Sequence, residues 1–301
     1  MQKLIVILGP TSSGKTKLAV ALARRFNGEI VSADSRQVYR GMDIGTGKDL
    51  DEYGYGAKQT PYHLIDVVSP KTQFSVGHYQ KLAYRAIDDI LRRGKVPLLV
   101  GGTGLYIQAI VEGLIFPQAK ADPKLRAKLA KLSLKQLLIK LKNLDKKTWQ
   151  IIDKKNRRRV ERAIEICLLT GQPLSEQRKK NPPPYDILQI GITVPKEKLF
   201  KKINARLRQR LEKEGLIEEI KKLHRQGLSW KKLDQFGLEY RDVSRYLRGQ
   251  LTYNEMFEQL NHAIKDFAKR QMTWFRRDKK IKWITHQRQA LNLTNDFLLK
   301  K

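Results

Sequence analysis

Apolar residues fall in short unbroken runs near the start of the chain and at helical spacing elsewhere. Residues 3–8 are too short and too uniformly apolar for an amphipathic helix, so they read as a parallel strand buried on both faces. Leu18, Ala19, Leu22 and Ala23 then recur at helical spacing, predicting a helix over 16–26. Residues 29–32 read as a second strand, and 41–62 as loop, because they hold five glycines. A further apolar stretch covers 63–68. A helix is predicted over 76–93, stopped by Gly94, and a strand over 96–100 running into Gly101 and Gly102. Strand and helix patterns alternate, which is the signature of an α/β fold with a parallel sheet and helices on both faces.

The texture changes after Pro117. Helical leucine spacing continues through Leu125, Leu129, Leu132, Leu137, Leu138 and Leu141, and three successive prolines, 182–184, end it. Residues 120–180 hold 19 Lys or Arg against 6 Asp or Glu, so this reads as a basic, all-helical insert. The expected division is a core over 1–116, the insert over 117–184 and the rest of the core over 185–301. In that last part a strand is expected at 188–194, long helices at 197–225, 238–248 and 252–275, and a final strand at 281–284. The end, 297–301, is expected to fray.

Composition sharpens this picture in one respect. The chain has 301 residues and a formal net charge of +31, with a pI near 10.2. An enzyme of small metabolites has no need of that excess, whereas a polyanion partner such as nucleic acid would be steered by it. The single cysteine, Cys167, lies on an apolar helical face and excludes a disulfide framework or a Cys-rich zinc site. The five histidines are scattered without ligand spacing. No apolar run is long enough to span a bilayer and no signal peptide is expected, so a cytoplasmic protein free of membranes is expected, working as a monomer.

The chemistry-bearing motif is Gly9-Pro10-Thr11-Ser12-Ser13-Gly14-Lys15-Thr16, a P-loop pattern between a predicted strand and a predicted helix. Its backbone N–H groups and helix N-terminus suit phosphate, Lys15 adds charge, and the Thr16 hydroxyl can hold Mg²⁺. ATP-driven chemistry is the first expectation from such a loop. Against it, the strand at 98–100 ends in Gly101-Gly102-Thr103-Gly104 and not in a magnesium-binding acid. The loop then holds diphosphate as a leaving group. Asp34, after the second strand, either lies at the mouth of this crevice or caps a turn.

These segments resemble the tRNA dimethylallyltransferases, also called tRNA isopentenyltransferases, of the bacterial type that lacks a C-terminal zinc finger. The resemblance runs through GPTSSGKT (9–16), VSADSRQVYRGMDIGTGK (31–48), PLLVGGTGLY (97–106), RRVER (158–162), GLEYR (237–241) and AKRQMTWFRR (268–277), in order along nearly the whole chain. It implies a P-loop NTPase-like sheet core and transfer of a dimethylallyl group from dimethylallyl diphosphate to N6 of adenine-37 of tRNA, with Mg²⁺ as cofactor. It further implies Asp34 as general base, Thr103 near the target base, and Arg206 with the P-loop on the diphosphate. Asp34, Ser35, Arg36, Gln37 and Thr103 would face tRNA, as would Gly237, Tyr240 and Arg241. Arg126, Arg158, Arg159 and Arg162 would grip the anticodon stem-loop. An adenylate isopentenyltransferase, an RNA-directed NTPase and a non-catalytic RNA-binding protein are the competing expectations. The basic insert, the missing acid after strand 98–100 and the intact Gly14-Lys15-Thr16 with Asp34 weigh against each in turn.

Overall fold

A computed structural model describes residues 2–117 and 119–300. The chain folds as two compact units, Met1–Ile110 with Pro184–Lys301, and Val111–Pro183. The sequence pattern places these boundaries at 116/117 and 184/185, against 110/111 and 183/184 here.

The first unit opens with β1 (Gln2–Leu8), the P-loop, α1 (Lys15–Arg25), β2 (Gly28–Ser32) and the two-residue β3 (Tyr62–His63). It continues with α2 (Val76–Arg92), β4 (Val96–Gly101) and α3 (Gly104–Val111). The apolar stretch after β3 does not extend that strand: Leu64 and Asp66 take left-handed backbone angles, with φ of 65° and 58°.

The second unit is all-helical: α4 (Pro123–Ala130), α5 (Leu134–Leu144), α6 (Lys146–Ile151), α7 (Arg157–Thr170) and α8 (Leu174–Gln177). Caps set these boundaries. Asp122 accepts from the N–H groups of Lys124 and Leu125, and Ser133 forms a reciprocal capping box with Gln136. Gly171 ends α7 with φ of 68°. Leu129, Leu137, Leu141, Val160, Ala163 and Ile164 form the core of this unit.

The first unit resumes with β5 (Tyr185–Ile192), α9 (Lys196–Glu212), α10 (Leu216–Arg225), α11 (Trp230–Phe236), α12 (Leu238–Leu247) and α13 (Tyr253–Phe275). It closes with β6 (Lys282–Ile284) and α14 (Gln287–Leu299). Two expectations are corrected here. The helix expected over 197–225 is broken by Gly215, whose φ of 83° no continuing helix can hold. The end expected to fray is helical through Leu299, because Ala290, Leu291, Leu293, Phe297 and Leu298 pack on the sheet core; Lys301 lies outside the described residues.

Among the described residues the sheet has six parallel strands in the order β3-β2-β4-β1-β5-β6. Leu4 to Leu8 of β1 are at most 1 % exposed, the burial a central parallel strand requires. Two apolar clusters flank the working end: one joins the sheet to α1 and α14, the other gathers α9 to α13 around Val38, Tyr39 and Met42. Since β2, β4 and β1 are neighbours and parallel, their carboxyl ends meet. There the order of strands reverses, and a ligand crevice is expected. No helix among the described residues is long and apolar enough to cross a membrane.

Candidate active site

The carboxyl ends of β1, β2 and β4 and residues of α9, α12 and α13 enclose one large cavity of about 1320 Å³. Thr11, Ser12, Gly14, Lys15 and Thr16 line it, with Asp34, Ser35, Arg36, Gln37, Thr103, Arg206, Gly237 and Arg241. Gly9, Pro10 and Ser13 belong to the same loop but do not line the cavity.

The P-loop turns into α1 through Gly14, which is left-handed at φ 88°. Lys15 Nζ donates to the Pro10 carbonyl at 2.7 Å, a contact internal to the loop. Desolvation lowers the Lys15 ammonium to about 8, assisted by Arg206 and opposed by Asp34, Asp49 and Glu52. The Ser13 hydroxyl is buried and has no hydrogen-bond partner among the described residues.

Gln271 of α13 fastens this loop. Its Oε1 accepts from the Thr11 N–H at 2.8 Å, and its Nε2 donates to the Gly102 carbonyl at 2.9 Å. The loop after β1 is thereby tied to the glycine pair after β4. That pair sits tightly: a Cβ on Gly101 would collide with the Ala33 carbonyl, and one on Gly102 with Gln271.

Asp34 has both features foreseen for it. Its Oδ1 accepts from the N–H groups of Arg36 and Gln37, at 2.8 and 3.4 Å, closing a turn. The carboxylate also lines the cavity. Thr103 Oγ1 accepts from the Ser35 N–H at 3.0 Å, so the ends of β2 and β4 hold each other in register. Gln37 is engaged within the protein, donating to the Gly47 carbonyl and accepting from Ser32 Oγ, both at 2.9 Å. Arg36 lies 5.4 Å from the centre of the Phe236 ring.

Arg206 pairs with Asp49, and one turn further along α9 Arg210 faces Asp49 and Glu239. A Cβ on Gly47, whose φ is 62°, would meet both guanidinium groups, which would have to shift. Burial pushes the Glu239 carboxyl up and the Arg210 guanidinium down.

One expected tRNA contact is corrected by burial, and two others are engaged within the protein. Tyr240 is 2 % exposed and its hydroxyl donates to Glu219 at 2.7 Å, so it is a core residue of α12 and no surface contact. Arg126 and Arg162 both pair with Glu165, which is 1 % exposed; Arg126 does so through two bonds of 2.8 and 3.0 Å. Their guanidinium groups neutralise a buried acid in their own unit. Arg158 and Arg159, on α7, are exposed. Gln271, Asp49, Arg210 and Glu239 were not singled out from sequence; the AKRQMTWFRR motif holds Gln271 and the GLEYR motif holds Glu239, while Asp49 and Arg210 lie outside the quoted motifs. In the AKRQMTWFRR motif Phe275 is buried and Met272 and Trp274 are half-buried; Phe267, one position before it, is half-buried and borders the cavity.

Comparison with known proteins places the chain among relatives. The family model described as IPP transferase matches residues 37–278, and one described as isopentenyl transferase matches 2–59. A protein of Trichlorobacter lovleyi named tRNA dimethylallyltransferase 2 is 49 % identical over 91 % of this chain and 88 % of its own. The tRNA dimethylallyltransferase of Acetivibrio thermocellus is 44 % identical over 94 % and 92 %. A crystal structure of the tRNA isopentenylpyrophosphate transferase of Bacillus halodurans superposes with a TM-score of 0.71, at 37 % identity, covering 99 % of this chain and 96 % of that one. A eukaryotic dimethylallyltransferase acting on tRNA superposes with a TM-score of 0.79 at 25 % identity, covering 99 % and 80 %.

Proposed function

The chain belongs to the IPP transferase family, and on that premise we propose that it moves a dimethylallyl group from dimethylallyl diphosphate to N6 of adenine-37 in tRNA. One observation carries the reading: one cavity is bordered by an acid, Asp34, by Lys15 of the phosphate-binding loop and by Arg206 of α9.

The adenine amine is a weak nucleophile because its lone pair is delocalised into the ring. In the proposed reaction a bond forms between N6 and the allylic carbon, and the bond from that carbon to the diphosphate oxygen breaks. The N6 proton passes to Asp34. Its hydrogen bonds from Arg36 and Gln37 both go to Oδ1, leaving Oδ2 as the acceptor. The charge that grows on the departing diphosphate meets Lys15, Arg206 and the loop N–H groups. Thr103 holds Ser35 beside the base, and the adenine must leave its stack to enter the cavity.

No group of three or more His, Cys, Asp or Glu among the described residues could hold a metal alone. Magnesium fits such a site, because it keeps water and binds largely through substrate phosphates. Thr16 would supply the protein hydroxyl, and the bound ion would neutralise diphosphate charge. The exposed Arg158 and Arg159 and the excess of basic residues suit the anticodon stem-loop as partner, and the enzyme would act as a cytoplasmic monomer.

The test is to incubate the protein with labelled dimethylallyl diphosphate and Mg²⁺, offering unmodified tRNA or AMP, and to follow ATP hydrolysis in parallel. Label in tRNA is expected. Label in AMP alone would make this an adenylate prenyltransferase, and ATP hydrolysis without transfer would make it an NTPase.

A further inference from the structure

Two arginines one turn apart on α9 face the same cavity, and they are not equivalent. Arg206 is engaged by Asp49 Oδ2. Arg210 is 7 % exposed, its Nε has no hydrogen-bond partner among the described residues, and its nearest acidic oxygens are Glu239 Oε1 at 3.7 Å and Asp49 Oδ1 at 3.8 Å. Both distances exceed a hydrogen bond. A buried guanidinium that serves only the fold is normally saturated with hydrogen bonds. Arg210 has a donor to spare and a carboxylate just out of reach.

Asp49 stands between the two. It belongs to the loop before α2, and its backbone is left-handed at φ 45°. Gly47 leaves the space both guanidinium groups occupy. Arg206 therefore has two claimants, the Asp49 carboxylate and the incoming diphosphate, and both cannot occupy the same donors.

We infer that Asp49 is an internal stand-in for the diphosphate on Arg206, and that Arg210 is the positioning residue that receives Asp49 when the diphosphate displaces it. This rests on the transferase reading of the cavity. Closing the 3.8 Å gap between Arg210 Nη2 and Asp49 Oδ1 gives Arg210 a carboxylate acceptor and frees Arg206. The exchange keeps Arg206 paired when the site has no substrate. It costs affinity in proportion to the time Arg206 spends on Asp49.

Removing Asp49 and removing Arg210 should shift affinity in opposite directions. Asp49→Asn keeps the backbone, since asparagine tolerates the left-handed region. It removes the competing charge, and is expected to tighten magnesium pyrophosphate binding, read by calorimetry, by roughly tenfold. Arg210→Met is expected to weaken binding by roughly tenfold, the scale of one charged hydrogen bond. It should raise KM for dimethylallyl diphosphate and leave KM for tRNA unchanged. In the Asp49→Asn background, Arg210→Met should have no further effect. Because it strands Glu239, the same comparison is made with Arg210→Met and Glu239→Gln together. If Asp49→Asn binds pyrophosphate no more tightly than the wild type, the inference falls. It also falls if Arg210→Met costs the same in both backgrounds, which a structural role would produce. A wild type that neither transfers label nor binds pyrophosphate sinks the transferase reading with it. A wild type that transfers label, with Asp49→Asn unchanged, sinks the inference alone.

Discussion

At the scale of single residues, two groups carry the proposed chemistry, and each leads to a measurement. Asp34 both closes a turn and borders the cavity, so Asp34→Ala confounds two roles. Asp34→Asn keeps the Oδ1 acceptor and removes the base. It should lower kcat by roughly 10²- to 10⁴-fold while tRNA affinity and melting temperature stay near wild type. Turnover near that of the wild type would remove Asp34 as base. Lys15 is lowered to about 8 by desolvation, so the substrate-free enzyme loses this positive charge as pH rises through that value. Affinity for the diphosphate should be full below pH 8 and weaken above it; a flat profile of pyrophosphate affinity between pH 7 and 9.5 would contradict this. Lys15 and Asp34 were legible in the chain because the P-loop pattern and the strand end are local. Gln271 was not, since its partner Thr11 lies 260 positions away.

At the scale of elements, caps and charge pairs decide which segments hold together. Glu165 on α7 ties Arg126 of α4 and its own-helix neighbour Arg162, and it accepts the Asp122 N–H at 3.0 Å. Burial alone would raise its carboxyl, but the arginine and backbone bonds prevail and lower it to about 2. A depressed acid stabilises above its unfolded value, and that contribution is lost as pH falls from about 4.5 toward 2. Glu165→Gln should cost about 2 kcal/mol at neutral pH, with both arginines half-exposed and able to find water. Amide exchange along Pro123–Ala130 and Arg157–Thr170 reads it, and unchanged protection there would refute the pairing. The acidic side chain that organises this unit could not be picked out by periodicity, because Glu165 reads as one more polar position on an amphipathic helix. The same holds for Tyr240, an aromatic residue within a polar motif whose burial is decided by its neighbours.

At the scale of the whole molecule, the charge of +31 makes salt the natural probe of the RNA partner. The logarithm of tRNA affinity should fall steeply with the logarithm of salt concentration. Replacing the exposed Arg158 and Arg159 together by alanine should flatten that slope by about 1 to 2, if both meet phosphate. Arg126→Ala should act through folding, with little change of slope at a temperature where the variant is folded. Equal slopes for all three proteins would remove α7 from the RNA-binding face.

Short-range order was written in the chain. The apolar run before Gly9, the P-loop, the strand ending in Gly101-Gly102 and the leucine spacing of the basic segment depend on neighbours within a few turns, and periodicity and glycine content report those directly. What the tertiary structure decided is which side chains from distant segments share one cavity. Gly47, Asp49, Arg206, Arg210 and Glu239 are separated by up to about 190 positions in sequence, yet the four charged side chains meet around Gly47. Pairing and desolvation depend on distance in space, so Arg206 facing an acid and Arg210 one hydrogen bond short became visible only once α9 was packed against the loop that follows β2.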